Sequence, residues 1–318
     1  MIIKESPGRD ILRLIIWYPF RWFILLIPPR SSFLTFTLMG KIYYLFARQK
    51  KEALRKNLRN VMADKPDLPW KTERVIRRYF ENHFISQMQI FVFPRLKEDT
   101  VDAVLNIEGL DHVTEALRNG GKGCILIHGH FGPVQLPLCV LGVKGYPMNQ
   151  VIYRRGENLS PIGEKVQLRL RTLYENKIPA RLVSADAFLG TLVRALKENQ
   201  VVMIAGDGTG HRDVIGKTVR VKLFDRPLRF PVGPLKLAVM TGAALFPAFT
   251  IREDGCRFKT VIGRRIEMDS RLARDDQITR GMLYFTSLLE DWIRKYPDHW
   301  HFWDNFRKGA LIVDEPHG

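Results

Sequence analysis

The chain of 318 residues contains 46% hydrophobic residues, which is enough to bury a sizeable core and excludes a disordered polypeptide. Its 50 Lys and Arg residues outnumber 33 Asp and Glu residues, and the net charge of +17 favours a polyanionic partner such as nucleic acid, an anionic membrane or an acidic carrier protein. The three cysteines, Cys124, Cys139 and Cys256, form no CxxC pair, which favours a reducing compartment and gives no indication of a zinc or redox centre.

The first element along the chain is the apolar stretch 11–27, which reads ILRLIIWYPFRWFILLI. At about 1.5 Å per residue this stretch is shorter than a hydrocarbon core of about 30 Å, and Arg13 and Pro19 interrupt it. Its tryptophans and tyrosine favour the headgroup level of a bilayer. We therefore expect residues 1–47, including a second apolar stretch at 33–46, to form an interfacial membrane-anchoring helical region. The alternative is that both stretches are buried core helices.

A basic helical region is expected at residues 48–104. It begins with the run Arg48-Gln-Lys-Lys-Glu-Ala-Leu-Arg-Lys-Asn-Leu-Arg59, in which the apolar positions recur at helical spacing. Beside an anchor, such a run predicts a cationic patch that faces the membrane. A solvated helix face is the other interpretation, because charge runs commonly have that role.

Residues 105–318 alternate short apolar runs with longer periodic segments, and this alternation is typical of an α/β domain with a mixed, largely parallel sheet flanked by helices. The predicted strands are 124–128, 149–153, 201–204, 244–250 and 258–262. The predicted helices are 112–119, 164–175, 185–198, 233–241 and 279–295.

The segment with the clearest chemical signal is 123–135, where an apolar strand delivers two histidines into a glycine-flanked turn. A strand followed by a turn and a helix places His130 at the carboxyl edge of the sheet, where α/β proteins usually bind ligands. Histidine is a natural general base for the attack of a hydroxyl on a thioester near neutral pH. His128, which ends the strand, is either a hydrogen-bonded structural residue or a second base.

Six segments with weak individual signals occur in the order expected of one enzyme family. They are Arg55-Lys-Asn-Leu-Arg-Asn-Val, His130-Phe-Gly, Val151-Ile-Tyr-Arg154, Val201-Val-Met-Ile-Ala-Gly-Asp207, the block 233–247 and Tyr296-Pro-Asp-His-Trp-His-Phe-Trp303. Together they resemble the bacterial lipid A biosynthesis (late) acyltransferases, a branch of the lysophospholipid acyltransferase superfamily whose signature is His-x-x-x-x-Asp/Glu. The resemblance covers most of the chain from about residue 48.

The resemblance implies a membrane-associated acyltransferase that moves a fatty acyl chain from acyl carrier protein or acyl-CoA to a hydroxyl of a lipid or glycolipid. The expected location is the cytoplasmic face of the bacterial inner membrane, and neither a metal nor a further cofactor is expected. By the same resemblance His130 is the base and Arg154 contacts an anionic headgroup, although Arg154 is also compatible with plain surface charge. Asp207, Gly208 and Thr209 are expected to line the acceptor pocket, and we also assign His128 to substrate binding.

Gln135 departs from the family signature, because an acid is expected at the fifth position after His130. Glutamine can orient the imidazole through a hydrogen bond, but it carries no charge to stabilise the imidazolium. Three compensations are open: His128 joins the relay, Asp207 or another acid approaches His130, or the amide of Gln135 suffices as a catalytic partner.

Two other functions compete with the acyltransferase. A non-catalytic lipid-binding member of the same family would retain the fold and the basic face without the relay acid. Nucleic-acid binding would use the positive charge, but the sequence contains none of the helix-turn-helix, zinc-finger or RNA-binding signatures that normally accompany it, so we expect no nucleic-acid partner.

Overall fold

The computed structural model of the chain describes residues 6–62, 68–152, 159–184, 188–208, 216–253, 255–307 and 311–313. Two of the predicted substrate-binding residues, Arg154 and Thr209, lie outside these ranges.

The amino-terminal part of the chain is helical. It contains α1 (Pro7–Ile15), a π-helical turn (Ile16–Phe20), α2 (Arg21–Leu26), α3 (Pro29–Phe46), α4 (Arg48–Val61), α5 (Leu68–Met88) and the short α6 (Glu98–Val101). The helix signal of the two apolar stretches and of the basic run is therefore confirmed. No helix in the described ranges has both the length and the apolar character needed to cross a membrane.

The π-helical turn, α2 and α3 each bury one face and expose another. Trp17, Ile24 and Phe33 are buried in the same apolar cluster as the central strand residue Leu126. The opposite faces expose Trp22, Phe23, Leu26, Leu34, Leu38, Leu45 and Phe46. Residues 16–46 thus combine features of both alternatives, because they pack in the core and also expose apolar side chains on the surface.

The chain contains nine described strands. They are β1 (Leu105–Glu108), β2 (Cys124–His128), β3 (Met148–Ile152), β4 (Arg181–Ser184), β5 (Val201–Ala205), β6 (Thr218–Leu223), β7 (Arg226–Pro231), β8 (Ala244–Arg252) and β9 (Phe258–Ile262). Seven of them form one sheet in the order β1-β9-β8-β2-β5-β3-β4, and β6 and β7 form a separate antiparallel hairpin. Within the large sheet β8 and β9 are antiparallel and the other neighbours are parallel, which confirms the prediction of a mixed, largely parallel sheet.

Helices cover the sheet in the α/β manner. They are α7 (Leu110–Gly120), α8 (Gln135–Val143), a π-helical segment (Gly163–Leu168) that continues into α9 (Arg169–Glu175), α10 (Phe188–Lys197), α11 (Gly233–Thr241) and α12 (Arg274–Lys295). With helices on both faces, β2 and β5 are buried along nearly their whole length, which explains their uniformly apolar sequences.

The register of β2 and β5 brings two distant parts of the sequence together. These strands are parallel neighbours, and His128 at the end of β2 pairs with Ala205 at the end of β5. The backbone N–H of Gly206 then donates to the carbonyl of His128 at 2.7 Å, which continues the pairing by one residue. The residues that follow the two strands, 129–130 and 206–207, are therefore adjacent at the carboxyl edge of the sheet.

Candidate active site

A histidine–aspartate pair lies at this edge. Nδ1 of His130 is 2.7 Å from Oδ1 of Asp207, and the backbone N–H of His130 donates to Oδ2 of Asp207 at 2.8 Å. Because a carboxylate oxygen accepts hydrogen bonds, Nδ1 carries the ring proton, and Nε2 presents its lone pair. The side chain of Asp207 is fully buried, whereas that of His130 is 31% exposed. The pair therefore has the geometry of a general base held by a buried acid.

Two glycines let the turn that carries His130 pack closely against neighbouring residues. A Cβ atom at Gly129 would lie 3.2 Å from Oδ2 of Asp207 and 2.8 Å from a methyl group of Leu289, so a larger residue would displace the acid. Gly132 has a φ of +64°, a left-handed conformation that L-residues rarely adopt. The glycine-flanked turn that was evident in the sequence is thus required for the position of His130.

The aromatic segment near the carboxyl terminus closes over the pair. Nε1 of Trp300 donates to Oδ2 of Asp207 at 3.4 Å, and the backbone N–H of His301 donates to the carbonyl of His130 at 2.9 Å. The rings of Phe302 and His130 are 4.6 Å apart between centroids. Since Trp300 is itself fully buried, this segment excludes water from the acid and fixes its orientation. The sequence does not predict the hydrogen bond from Trp300 to Asp207.

Gln135 does not hold the imidazole in this structure. It begins α8 and borders the cavity beside His130, but no hydrogen bond in the described ranges joins the two side chains. The ring nitrogen that Gln135 was expected to orient is bound to Asp207. Of the three compensations considered, the structure contains the second, an acid that comes close to His130 from elsewhere in the sequence.

The expectation that Asp207 lines the acceptor pocket requires a correction. Asp207 lies behind His130, and both of its carboxylate oxygens already accept hydrogen bonds from His130 and Trp300. Gly208 follows Asp207 with a φ of +80°, a left-handed conformation with which the chain turns at the end of this segment. The segment after β5 thus supplies Asp207 as the hydrogen-bond partner of His130, whereas Ala205 at the end of β5 borders the cavity.

His128 is a buried, neutral residue. Its Nδ1 lies 2.9 Å from the carbonyl of Gly129, and since a carbonyl only accepts, Nδ1 donates this hydrogen bond. Burial lowers the pKa of His128 to about 4, so the ring is uncharged near neutral pH. Its ring centroid is 6.5 Å from that of His130. These features disfavour a second base and leave Nε2 as a hydrogen-bond acceptor.

A cavity of about 420 Å³ lies beside His130. Its wall combines apolar side chains such as Val134, Leu159 and Leu168 with an unusual set of amides. The polar residues of the wall are Ser86, Gln87, Gln89, His128, Gln135, Gln150, Gln167, Arg171, Glu175 and His301. A larger cleft of about 770 Å³ lies between the β6–β7 hairpin and α12, but His130 is not part of it. The described residues contain no group of three His, Cys, Asp or Glu side chains that could hold a metal ion.

Residues 4–307 match the profile of the family described as bacterial lipid A biosynthesis acyltransferase. The chain belongs to this family. Family membership confirms the resemblance that the six ordered segments indicated, and it identifies the protein as an acyltransferase.

Curated relatives agree with this assignment. The chain is 27% identical over 254 residues to a phosphatidylinositol mannoside acyltransferase of Mycolicibacterium smegmatis, and the alignment covers 79% of this chain and 77% of the relative. It is 28% identical over 208 residues to proteins of the same name from two strains of Mycobacterium tuberculosis, with 62% of this chain and 60% of each relative covered.

Proposed function

We propose that this acyltransferase moves a fatty acyl chain from a thioester of acyl carrier protein or coenzyme A to a hydroxyl of a lipid or glycolipid acceptor, with His130 as the general base. The observation that carries the proposal is the His130–Asp207 pair at the wall of the cavity. The name of the relatives, phosphatidylinositol mannoside acyltransferase, supports a glycolipid as the acceptor.

In the proposed reaction, the acceptor hydroxyl donates a hydrogen bond to Nε2 of His130. Its oxygen attacks the thioester carbonyl carbon while Nε2 takes the proton, which forms a tetrahedral intermediate and an imidazolium. The negative charge of Asp207, 2.7 Å away, stabilises this imidazolium. Collapse of the intermediate breaks the C–S bond, and the departing thiolate takes the proton from Nε2. Because Asp207 is present, the absence of an acid at position 135 does not argue for a non-catalytic protein.

The test of this proposal is transfer of a radiolabelled acyl group from acyl carrier protein or acyl-CoA to extracted bacterial lipids. We expect His130→Ala to lower the rate by about 10²- to 10⁴-fold, the range that general bases contribute. The matched control is His112→Ala, since His112 lies near the start of β2, at the opposite end of the strand. Full activity of the His130→Ala protein would rule out the proposed base.

We also propose that the enzyme docks on the cytoplasmic face of the bacterial inner membrane through the exposed apolar side chains of α1–α3. Leu26 at the end of α2 is 84% exposed, and Phe46 at the end of α3 is 77% exposed. A concentration of large exposed apolar side chains in one segment of the chain favours contact with a membrane. The following helix, α4, exposes Arg48, Lys50 and Lys56 while it buries Leu54 and Leu58, so positive charge that suits anionic lipids lies next to the apolar face.

The double substitution Phe23→Ser and Leu26→Ser tests this docking surface. Each side chain contributes about 1.5–3 kcal/mol when it moves from water into an apolar phase, so we expect binding to vesicles of phosphatidylcholine and phosphatidylglycerol to fall at least about tenfold. Vesicle co-sedimentation provides the measurement, and Leu283→Ser, at an apolar position on α12 that is 49% exposed, is the control. Unchanged co-sedimentation of the double variant would contradict the proposed docking surface.

A further inference from the structure

Three buried polar atoms at the wall of the cavity have no hydrogen-bond partner among the described residues. They are Oε1 of Gln89, Oε1 of Gln150 and Nε2 of His128. The three residues are only 2%, 4% and 6% exposed, yet all of them border the cavity beside His130. They come from different elements: Gln89 follows α5, His128 ends β2, and Gln150 lies in β3.

The remaining contacts of Gln89 and His128 show that their unpaired atoms are acceptors. Nε2 of Gln89 donates to the carbonyl of Ser86 at 2.9 Å, which fixes the amide and leaves its oxygen unpaired. Nδ1 of His128 donates to the carbonyl of Gly129, so Nε2 presents a lone pair. The lowered pKa of His128 keeps this lone pair available near neutral pH. With the oxygen of Gln150, the wall therefore presents three acceptors that lack a donor.

Buried acceptors in folded proteins are almost always satisfied by protein, water or a ligand. We propose that Gln89, Gln150 and His128 are specificity-determining residues that accept hydrogen bonds from the hydroxyls of a polyhydroxylated headgroup and thereby select it over a lipid with a single hydroxyl. This inference rests on the proposed function, since it concerns the acceptor of the same reaction. The recognised hydroxyls are those on the same headgroup next to the hydroxyl that reacts at Nε2 of His130.

The chemistry of the three atoms disfavours other headgroups at this position. Phosphate oxygens are themselves acceptors and would be repelled by an array of lone pairs. An ammonium group would satisfy the acceptors, but none of them carries the negative charge that usually accompanies a buried cation. Hydroxyls donate without charge, and the amide of Gln135 in the same wall is able to accept or to donate to further hydroxyls.

The proposal is tested with Gln150→Met, which keeps the length of the side chain and removes its polar atoms. The acceptors are a monoglucosyl diacylglycerol and the diacylglycerol with the same acyl chains, with an acyl-CoA donor. We expect the ratio of kcat/KM for the glucosyl lipid to that for diacylglycerol to fall about fivefold, as for the loss of one hydrogen bond. The melting temperature should stay the same or rise, because an unpaired buried acceptor is removed, whereas a structural role for Gln150 would lower it. Gln277→Met on α12 is the control.

Binding separates this inference from the proposed function. The His130→Ala protein in detergent micelles should bind the glucosyl lipid more tightly than diacylglycerol, and adding Gln150→Met should reduce that preference. If both results are found although the wild-type protein transfers no acyl group, the specificity proposal stands and the proposed reaction fails. If the His130→Ala protein shows no preference, or if Gln150→Met leaves the preference unchanged, the specificity proposal is overturned whatever the rate of transfer.

Discussion

Asp207→Asn is expected to lower kcat/KM for acyl transfer about 10³- to 10⁴-fold while the protein remains folded. In serine proteases the equivalent replacement costs about 10⁴-fold in kcat, because the imidazole is held in the wrong tautomer. The same result follows here from the contacts of the acid. Oδ2 accepts from the backbone N–H of His130 and from Nε1 of Trp300, so an asparagine would keep its oxygen there. Its NH₂ group would then donate to Nδ1, which moves the ring proton to Nε2 and removes the base.

Gln135→Ala provides the contrast to Asp207→Asn. Since Nδ1 of His130 is already occupied by Asp207, we expect Gln135→Ala to change kcat/KM less than tenfold. Both variants are to be measured with the same thioester donor and with circular dichroism as the check on folding. A loss after Gln135→Ala as large as that after Asp207→Asn would show that position 135, and not Asp207, orients the base.

The pairing of His130 with Asp207 shows what the sequence could and could not predict. Both strands were predicted because parallel strands at the centre of a sheet are uniformly apolar. His130 was singled out because it follows such a strand, and Asp207 was singled out through the resemblance to the acyltransferase family. They are 77 positions apart, however, and contact requires that β2 and β5 be neighbours. Strand order depends on how helices pack across the whole sheet, and periodicity within one segment carries no information about it. From the sequence, Asp207 was therefore expected in the acceptor pocket and was also one of the acids that could approach His130. Only its position in the structure distinguishes these two roles.

The elements that the sequence did not predict are short or strongly charged. Strands β1 and β4 have four residues each, and the β6–β7 hairpin carries Arg or Lys at four of its twelve strand positions. Its turn places Phe224 and Asp225 at φ of 52° and 57°, a left-handed conformation that is usually signalled by glycine or asparagine. The packing of the hairpin against α12 supplies the stabilisation that its local sequence lacks.

Arg13 illustrates a different limit. In the sequence it interrupts an apolar stretch, which indicated only that the stretch does not cross a bilayer. In the structure it is buried, and it contacts Asp10 at 2.8 Å and Gln167 at 2.5 Å. Since Gln167 belongs to the wall of the cavity, Arg13 links α1 to the cavity beside His130. The charged residue within this apolar stretch thus makes a tertiary contact with a residue 154 positions away.

Arg252→Met is expected to lower the free energy of unfolding by about 3–5 kcal/mol, because buried Glu81 loses its close partner and keeps only the half-exposed Arg77 at 3.8 Å. Arg252 at the end of β8 donates to Glu81 of α5 at 2.6 Å and to Thr37 of α3 at 3.3 Å, and both charged side chains are buried. The pair therefore joins the amino-terminal helices to the sheet. Urea unfolding followed by circular dichroism provides the measurement, with Arg265→Met, which is half exposed, as the control.

The double substitution Arg252→Met and Glu81→Leu separates the ion pair from packing. Removing both charges eliminates the desolvation of each, so the double variant should be more stable than Arg252→Met alone. Its effect on the position of His130 should be small, because residue 252 is linked to the turn that carries His130 through its backbone. The backbone N–H of Arg252 donates to Nε2 of His299 at 2.8 Å, and the carbonyl of His299 accepts from Gly132 in the turn that carries His130. If the double variant is no more stable than the single one, the loss in Arg252→Met comes from packing and not from the lost buried partner of Glu81.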